Sequence, residues 1–60
     1  MIRTASDLSV GSHILDGDRI LVVDYLVVDE DGIWIEGYEL DSGDEFNMVY
    51  DEDDEINIVK

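Results

Sequence analysis

Sixty residues bound one small domain, in which 17 Asp and Glu stand against three Lys and Arg for a formal charge of −14. A chain this short buries only about 60% of the surface its unfolded form exposes, which leaves a thin core and no room for a two-lobed catalytic cleft. Neither cysteine nor proline occurs, so no disulfide or thiolate metal site staples the fold, while 45% hydrophobic content separates the chain from disordered acidic tails.

The apolar runs at residues 20–23 and 25–28 fall far short of the roughly 20 residues a bilayer span needs. The N-terminal residues Met1, Ile2, Arg3 and Thr4 contain no apolar signal-peptide core, so a soluble, cytoplasmic protein is expected. Direct binding to nucleic acid or to an anionic membrane requires Lys or Arg against phosphate. Only Arg3, Arg19 and Lys60 are basic, so a partner selected by charge should be a basic protein. The charge is lopsided. Residues 1–28 carry four acids and two arginines, whereas residues 29–60 carry thirteen acids and one lysine.

In chain order, Ser6, Asp7 and Leu8 suit one helical turn capped by Ser6. A first strand is expected over 13–15, closed by Asp16, Gly17 and Asp18. The run 19–28 cannot keep one phase: Ile20 and Val22 are in register with Asp24, and Leu21 and Val23 with Tyr25 and Val27. A bulge near Asp24 reconciles them and bends the strand. The turn Asp29, Glu30, Asp31 and Gly32 precedes a strand over 33–40. Asp41, Ser42, Gly43 and Asp44 then precede Glu45–Tyr50, and Ile56 and Ile58 mark a last strand. Glycine adopts positive φ easily and Asp bonds its own backbone in turns, so these clusters read as strand connections. Their spacing of about ten residues favours an all-β sandwich or barrel. The expected core is Leu8, Val10, Ile14, Ile20, Val22, Val27, Ile33, Ile35, Leu40, Phe46, Met48 and Ile58.

Three groups carry candidate chemistry. Asp51, Glu52, Asp53, Asp54 and Glu55 form the densest acidic run; it suits docking of a basic partner, a hard-cation site, or simply a solvated turn. The full calcium-loop spacing, Asp-x-Asp/Asn-x-Asp/Asn-Gly followed by a distant Glu, is absent: placing Gly32 at the glycine position puts Val27 at position one, so no metal is expected. Asp29, Glu30 and Asp31 form a second acidic turn, in which water-exposed carboxylates have no cleft to split their pKa values for acid–base work. Trp34, Glu36 and Tyr38 share one strand face; with Ile33 and Ile35 inward they form an aromatic patch edged by acids, of the kind enriched in interfaces, unless Trp34 folds over into the core. Ser12 and the sole histidine, His13, point to opposite strand faces and lack any nucleophile turn, so neither catalysis nor a cofactor is expected.

The sequence Ser6-Asp7-Leu8-Ser9-Val10-Gly11, the Asp-Gly turn, Val22-Val23-Asp24 and Leu40-Asp41-Ser42-Gly43 together resemble the KOW-type, SH3-like N-terminal domain of translation elongation factor P. They are also similar to short acidic phage proteins with a related N-terminal lead. The resemblance implies a small SH3-like, partly open barrel of about five antiparallel strands. It does not carry the translation role, because the turn matching that family's basic, lysine-bearing loop is Asp29, Glu30, Asp31 and Gly32. Three functions fit. The first is a small acidic binding protein that imitates nucleic-acid phosphates and occupies the basic groove of a DNA- or RNA-binding protein, as a phage-type inhibitor would. The second is an acidic interaction or assembly module without mimicry, and the third a domain adapted to high salt. Asp29, Glu30, Asp31, Trp34, Glu36, Tyr38, Asp51, Glu52, Asp53, Asp54 and Glu55 are the expected contact residues.

Overall fold

The four acidic, glycine-bearing or Asp-rich connections separate strands as their composition predicts. The computed structural model describes residues 2–60. Six strands run in order: β1 (Ile2–Thr4), β2 (His13–Asp16), β3 (Arg19–Asp29), β4 (Gly32–Glu39), β5 (Glu45–Tyr50) and β6 (Glu55–Asn57). A single 3₁₀ turn, Ala5–Asp7, is the only helical element among the described residues. The chain is therefore all-β. Strands β2-β3-β4-β5 form one antiparallel sheet in sequence order, and β1 and β6 form a two-stranded second one. The sheets do not close into a barrel. They are tied by an Ile14–Ile58 bridge and by backbone bonds in which His13 N–H donates to the Lys60 carbonyl and Val59 N–H to that of His13.

The 3₁₀ turn begins one residue before its expected start. Thr4 occupies the N-cap position without a side-chain cap bond, and its hydroxyl instead meets that of Ser6 at 2.8 Å. The N–H groups of Ala5 and Ser6 donate to the carbonyls of Asp54 and Glu52. The loop between β5 and β6 thereby fixes the entry to the turn, which buries Ala5 and Leu8 against the large sheet.

The register of β3 slips between Val23 and Tyr25, where the phase conflict predicts a bulge. Gly37 lies opposite Val23, and a Cβ there would overlap the Val22 carbonyl and crowd the Phe46 ring. Before the bulge Leu21 and Val23 face the core; after it Leu26 does. This inverts both halves of the expected phase. Ile20 and Val27 are half-buried outside the core cluster; Val22 is buried as expected, paired with His13 and Tyr38 and not part of the main cluster. The core is Ala5, Leu8, Ile14, Leu21, Val23, Ile33, Ile35 and Ile56, with Leu26, Phe46, Tyr50 and Ile58 packed against it. Ala5, Leu21, Val23 and Ile56 thus join the expected set. Val10 leaves it at 66% exposure, along with Leu40 and Met48. Val10 sits in the loop after the 3₁₀ turn, where nothing covers it.

Candidate protein-interaction surface

Pairing of β4 with both neighbours sets the acidic groups in place. Asp29 pairs with Gly32 across a two-residue turn, and Ile33 pairs with Tyr50 on the other side. The β3–β4 turn and the β5–β6 loop therefore emerge at the same end of the sheet. Between them lies an open concavity of about 590 Å³, lined by Asp29, Glu30, Asp31, Asp51, Glu52, Asp53 and Asp54 above an apolar floor of Val28 and Ile33. The structure brings both predicted acidic runs together there. Glu55 does not line it; it opens β6, paired with Thr4.

Two of these acids also build their own loops. Asp29 Oδ1 accepts from the N–H groups of Asp31 (2.8 Å) and Gly32 (3.1 Å). Asp54 Oδ2 accepts from the Asp51 N–H at 2.9 Å, while Asp54 N–H donates to the Asp51 carbonyl. Among the described residues no Lys or Arg lines this end. Arg19, at the start of β3, is held by Asp16 (2.9 Å) and Glu39 (3.6 Å). Its hydrogen bond to Asp16, reinforced by nearby carboxylates, raises its pKa further. Arg3 and Lys60 lie together with Asp7 in a separate concavity beside residues 9–12. Beneath the acidic end, burial followed by the charges of Asp16 and Asp54 raises the Tyr50 phenol above its ordinary value.

The outer face of the large sheet is the second part of the surface. Cross-strand partners share a face, so Trp34 lies with Val27 and Val49, Glu36 with Tyr25 and Asn47, and Tyr38 with Val22 and Glu45. Trp34 stays 40% exposed, as expected for an outward aromatic, and does not fold over into the core. Tyr25, Val27 and Val49 extend the predicted patch. The bulge hides the membership of Tyr25 and Val27 from a simple alternating reading, while Val49 joins through its pairing with Trp34. Asp24, at the bulge, borders a further concavity with Glu36 and Glu45, so carboxylates reach the middle of this face as well. Its signal in the sequence is the same phase break.

Among the described residues no group of three or more His, Cys, Asp or Glu is arranged to hold a metal ion. Ser12 is buried, and its hydroxyl accepts the Ser9 N–H at 3.0 Å, a role in the loop. No helix among the described residues is long and apolar enough to cross a membrane. No known protein family, curated protein or solved structure matches this chain.

Proposed function

We propose that this chain is a small acidic binding protein whose carboxylates stand in for nucleic-acid phosphates in the basic groove of a DNA- or RNA-binding protein. The observation that carries the reading is the convergence of seven carboxylates from two loops on one concave end that no Lys or Arg lines. Same-face side chains on one strand recur only every ~6.6 Å, but neighbouring strands stand ~4.8 Å apart. Loops from adjacent strands can therefore present charge more densely than one strand can. A groove built for phosphate would favour such an array through fixed Lys and Arg contacts.

Displacement tests the reading. A partner is recovered with the immobilised chain, purified, and titrated with duplex DNA and single-stranded RNA. Mimicry requires one of them to displace the chain, with affinity falling steeply as salt rises. Simultaneous binding of nucleic acid and this chain at undiminished affinities sinks it. The exposed Tyr25, Trp34, Tyr38 and Val49 favour a second reading, an assembly module that docks through its aromatic sheet face. That module would hold its partner in high salt and ignore nucleic acid.

A further inference from the structure

The large sheet has an edge with which no strand among the described residues pairs. β5 is its outermost strand and bonds to β4 alone. The Glu39 N–H donates to the Asp44 carbonyl, and the Leu40 N–H to the Ile20 carbonyl, each at 2.8 Å. Odd positions of β4 therefore bond toward β5 and even positions toward β3, because backbone groups alternate sides along an antiparallel strand. The odd residues Ile33, Ile35 and Gly37 pair with Tyr50, Met48 and Phe46. It follows that the N–H and C=O groups of Glu45, Asn47 and Val49 point away from the sheet. Natural edges are usually blunted by lysine, proline or a bulge. β5 has none of these: its sequence is Glu-Phe-Asn-Met-Val-Tyr and its register with β4 is unbroken.

A second observation concerns the core-facing side of the same strand. Ile35 is 0% exposed, yet Met48, beside it on that face, is 37% exposed. Phe46 and Tyr50, on the same face of β5, pack against the core, so Met48 is the apolar side chain left open at the edge. One added strand would cover Met48 and satisfy the outward backbone groups together.

Charge selects the occupant. Glu45 lies on the edge strand and shares an outer-face concavity with Asp24 of β3 and Glu36 of β4, and Asp44 and Asp51 flank the two ends of β5. A second copy pairing antiparallel along β5 would bring Asp44 and Glu45 of one molecule beside Asp51 of the other, and like charges set opposite one another destabilise a sheet. We infer that β5 accepts an extended segment of a basic protein as a fifth strand of the large sheet, with apolar residues over Phe46 and Met48 alternating with Lys or Arg toward Asp24, Glu36 and Glu45. The inference rests on the basic partner proposed above and adds the way that partner is held, by strand addition in which main-chain bonds supply affinity and alternate side chains supply choice.

The test uses the intact chain and a synthetic peptide alternating valine and lysine, with amide hydrogen exchange as the readout. Strand addition slows exchange at Glu45, Asn47 and Val49 specifically. Asn47→Pro removes an outward N–H without breaking the ladder to β4, a position where an edge strand tolerates proline. It should weaken peptide binding by about tenfold, the scale of one or more lost hydrogen bonds. A backbone N-methylated peptide of the same side chains probes the same bonds on the unaltered protein and should fail to bind. Equal binding of the methylated peptide, or binding that leaves those three amides unprotected, overturns strand addition while leaving a charge-selected partner in place. Absence of any peptide binding overturns it too. The displacement experiment with nucleic acid decides the mimicry reading separately.

Discussion

The ring of Tyr25 meets that of Trp34 edge-on, with centroids 6.3 Å apart and planes at 85°. This contact spans the β3–β4 hairpin on its outer face, just past the bulge. Aromatic pairs of this geometry contribute about 0.5–1.5 kcal/mol beyond the area they bury. Trp34→Ala should therefore lower stability by about that amount plus a modest loss of packing, because the ring is already partly in water. Ile35→Ala, at the centre of the core, should cost on the order of 2–5 kcal/mol. Urea unfolding of the two variants separates them. A Trp34 variant as damaged as the Ile35 variant would mean that the outer face is part of the folding core and not a surface held for a partner.

Gly37 predicts a second cost. A methyl group there meets the Val22 carbonyl and the Phe46 ring, so Gly37→Ala should destabilise by about 1–3 kcal/mol or more, as overpacking does. Exposed Gly43, with open space around its Cβ position, offers the control, although its φ of 77° adds some strain to any side chain. Thermal melts compare the two directly. Equal effects would mean that the close approach at the bulge can relax.

That same bulge marks the limit of what the sequence makes legible. The clash between the two halves of β3 reveals that a bulge must exist near Asp24, but not which face each half buries. The hairpin turns hold that information. A two-residue Gly17-Asp18 turn pairs Ile14 with Leu21, and a two-residue Glu30-Asp31 turn pairs Ile35 with Leu26. Once Ile14 and Ile35 are placed inside, turn length alone sends Leu21 and Leu26 inside too and sends Ile20 and Val27 out. β1 is three residues long and has no alternation to announce it. The acidic runs stand out by composition, yet their convergence depends on the pairing of Ile33 with Tyr50, a contact between separate hairpins that no local pattern encodes.

The acids themselves divide into two kinds. Asp29→Ala and Asp54→Ala each remove an acceptor for loop N–H groups and should cost about 0.5–1.5 kcal/mol. Asp54→Asn keeps an acceptor oxygen and should recover most of that. Glu30→Gln and Asp53→Asn should change stability by less than about 0.5 kcal/mol, as exposed substitutions usually do, while weakening a basic partner. Denaturation midpoints and partner affinities measured on one set of variants check this. A partner indifferent to Glu30, Asp31, Glu52 and Asp53 would remove the acidic end from the binding surface.

Salt should stabilise the isolated fold. Folding gathers seven carboxylates around one concavity that no Lys or Arg lines. Their mutual repulsion is screened over about 10 Å at 0.1 M salt and over about 3 Å at 1 M. The melting temperature should climb with sodium chloride and level off once the concavity is screened, a direction set by the self-repulsion of a highly charged compact state. A salt-independent melting temperature would mean that the unfolded chain is repelled equally.

Tyr50 gives the alkaline limb of stability. Its phenol is raised above the ordinary value of about 10 by burial first, then by the carboxylates of Asp16 and Asp54. Its hydroxyl donates to Met48 Sδ at 3.3 Å. Below pH ~10 the phenol is protonated in folded and unfolded chains alike, so titration contributes nothing there. As pH rises through ~10 the unfolded chain releases this proton first. The folded state then binds more protons, and stability falls with rising pH until the folded phenol also ionises. Urea midpoints measured from pH ~8 to ~11 should therefore decline more steeply for the native chain than for Tyr50→Phe, which keeps the ring and removes the ionising group. The variant starts slightly lower, having lost the bond to Met48. Its curve should then run flatter, because a phenylalanine ring beside Asp54 has no charge to be repelled. Parallel curves would place the half-buried Tyr50 phenol in water in the folded protein.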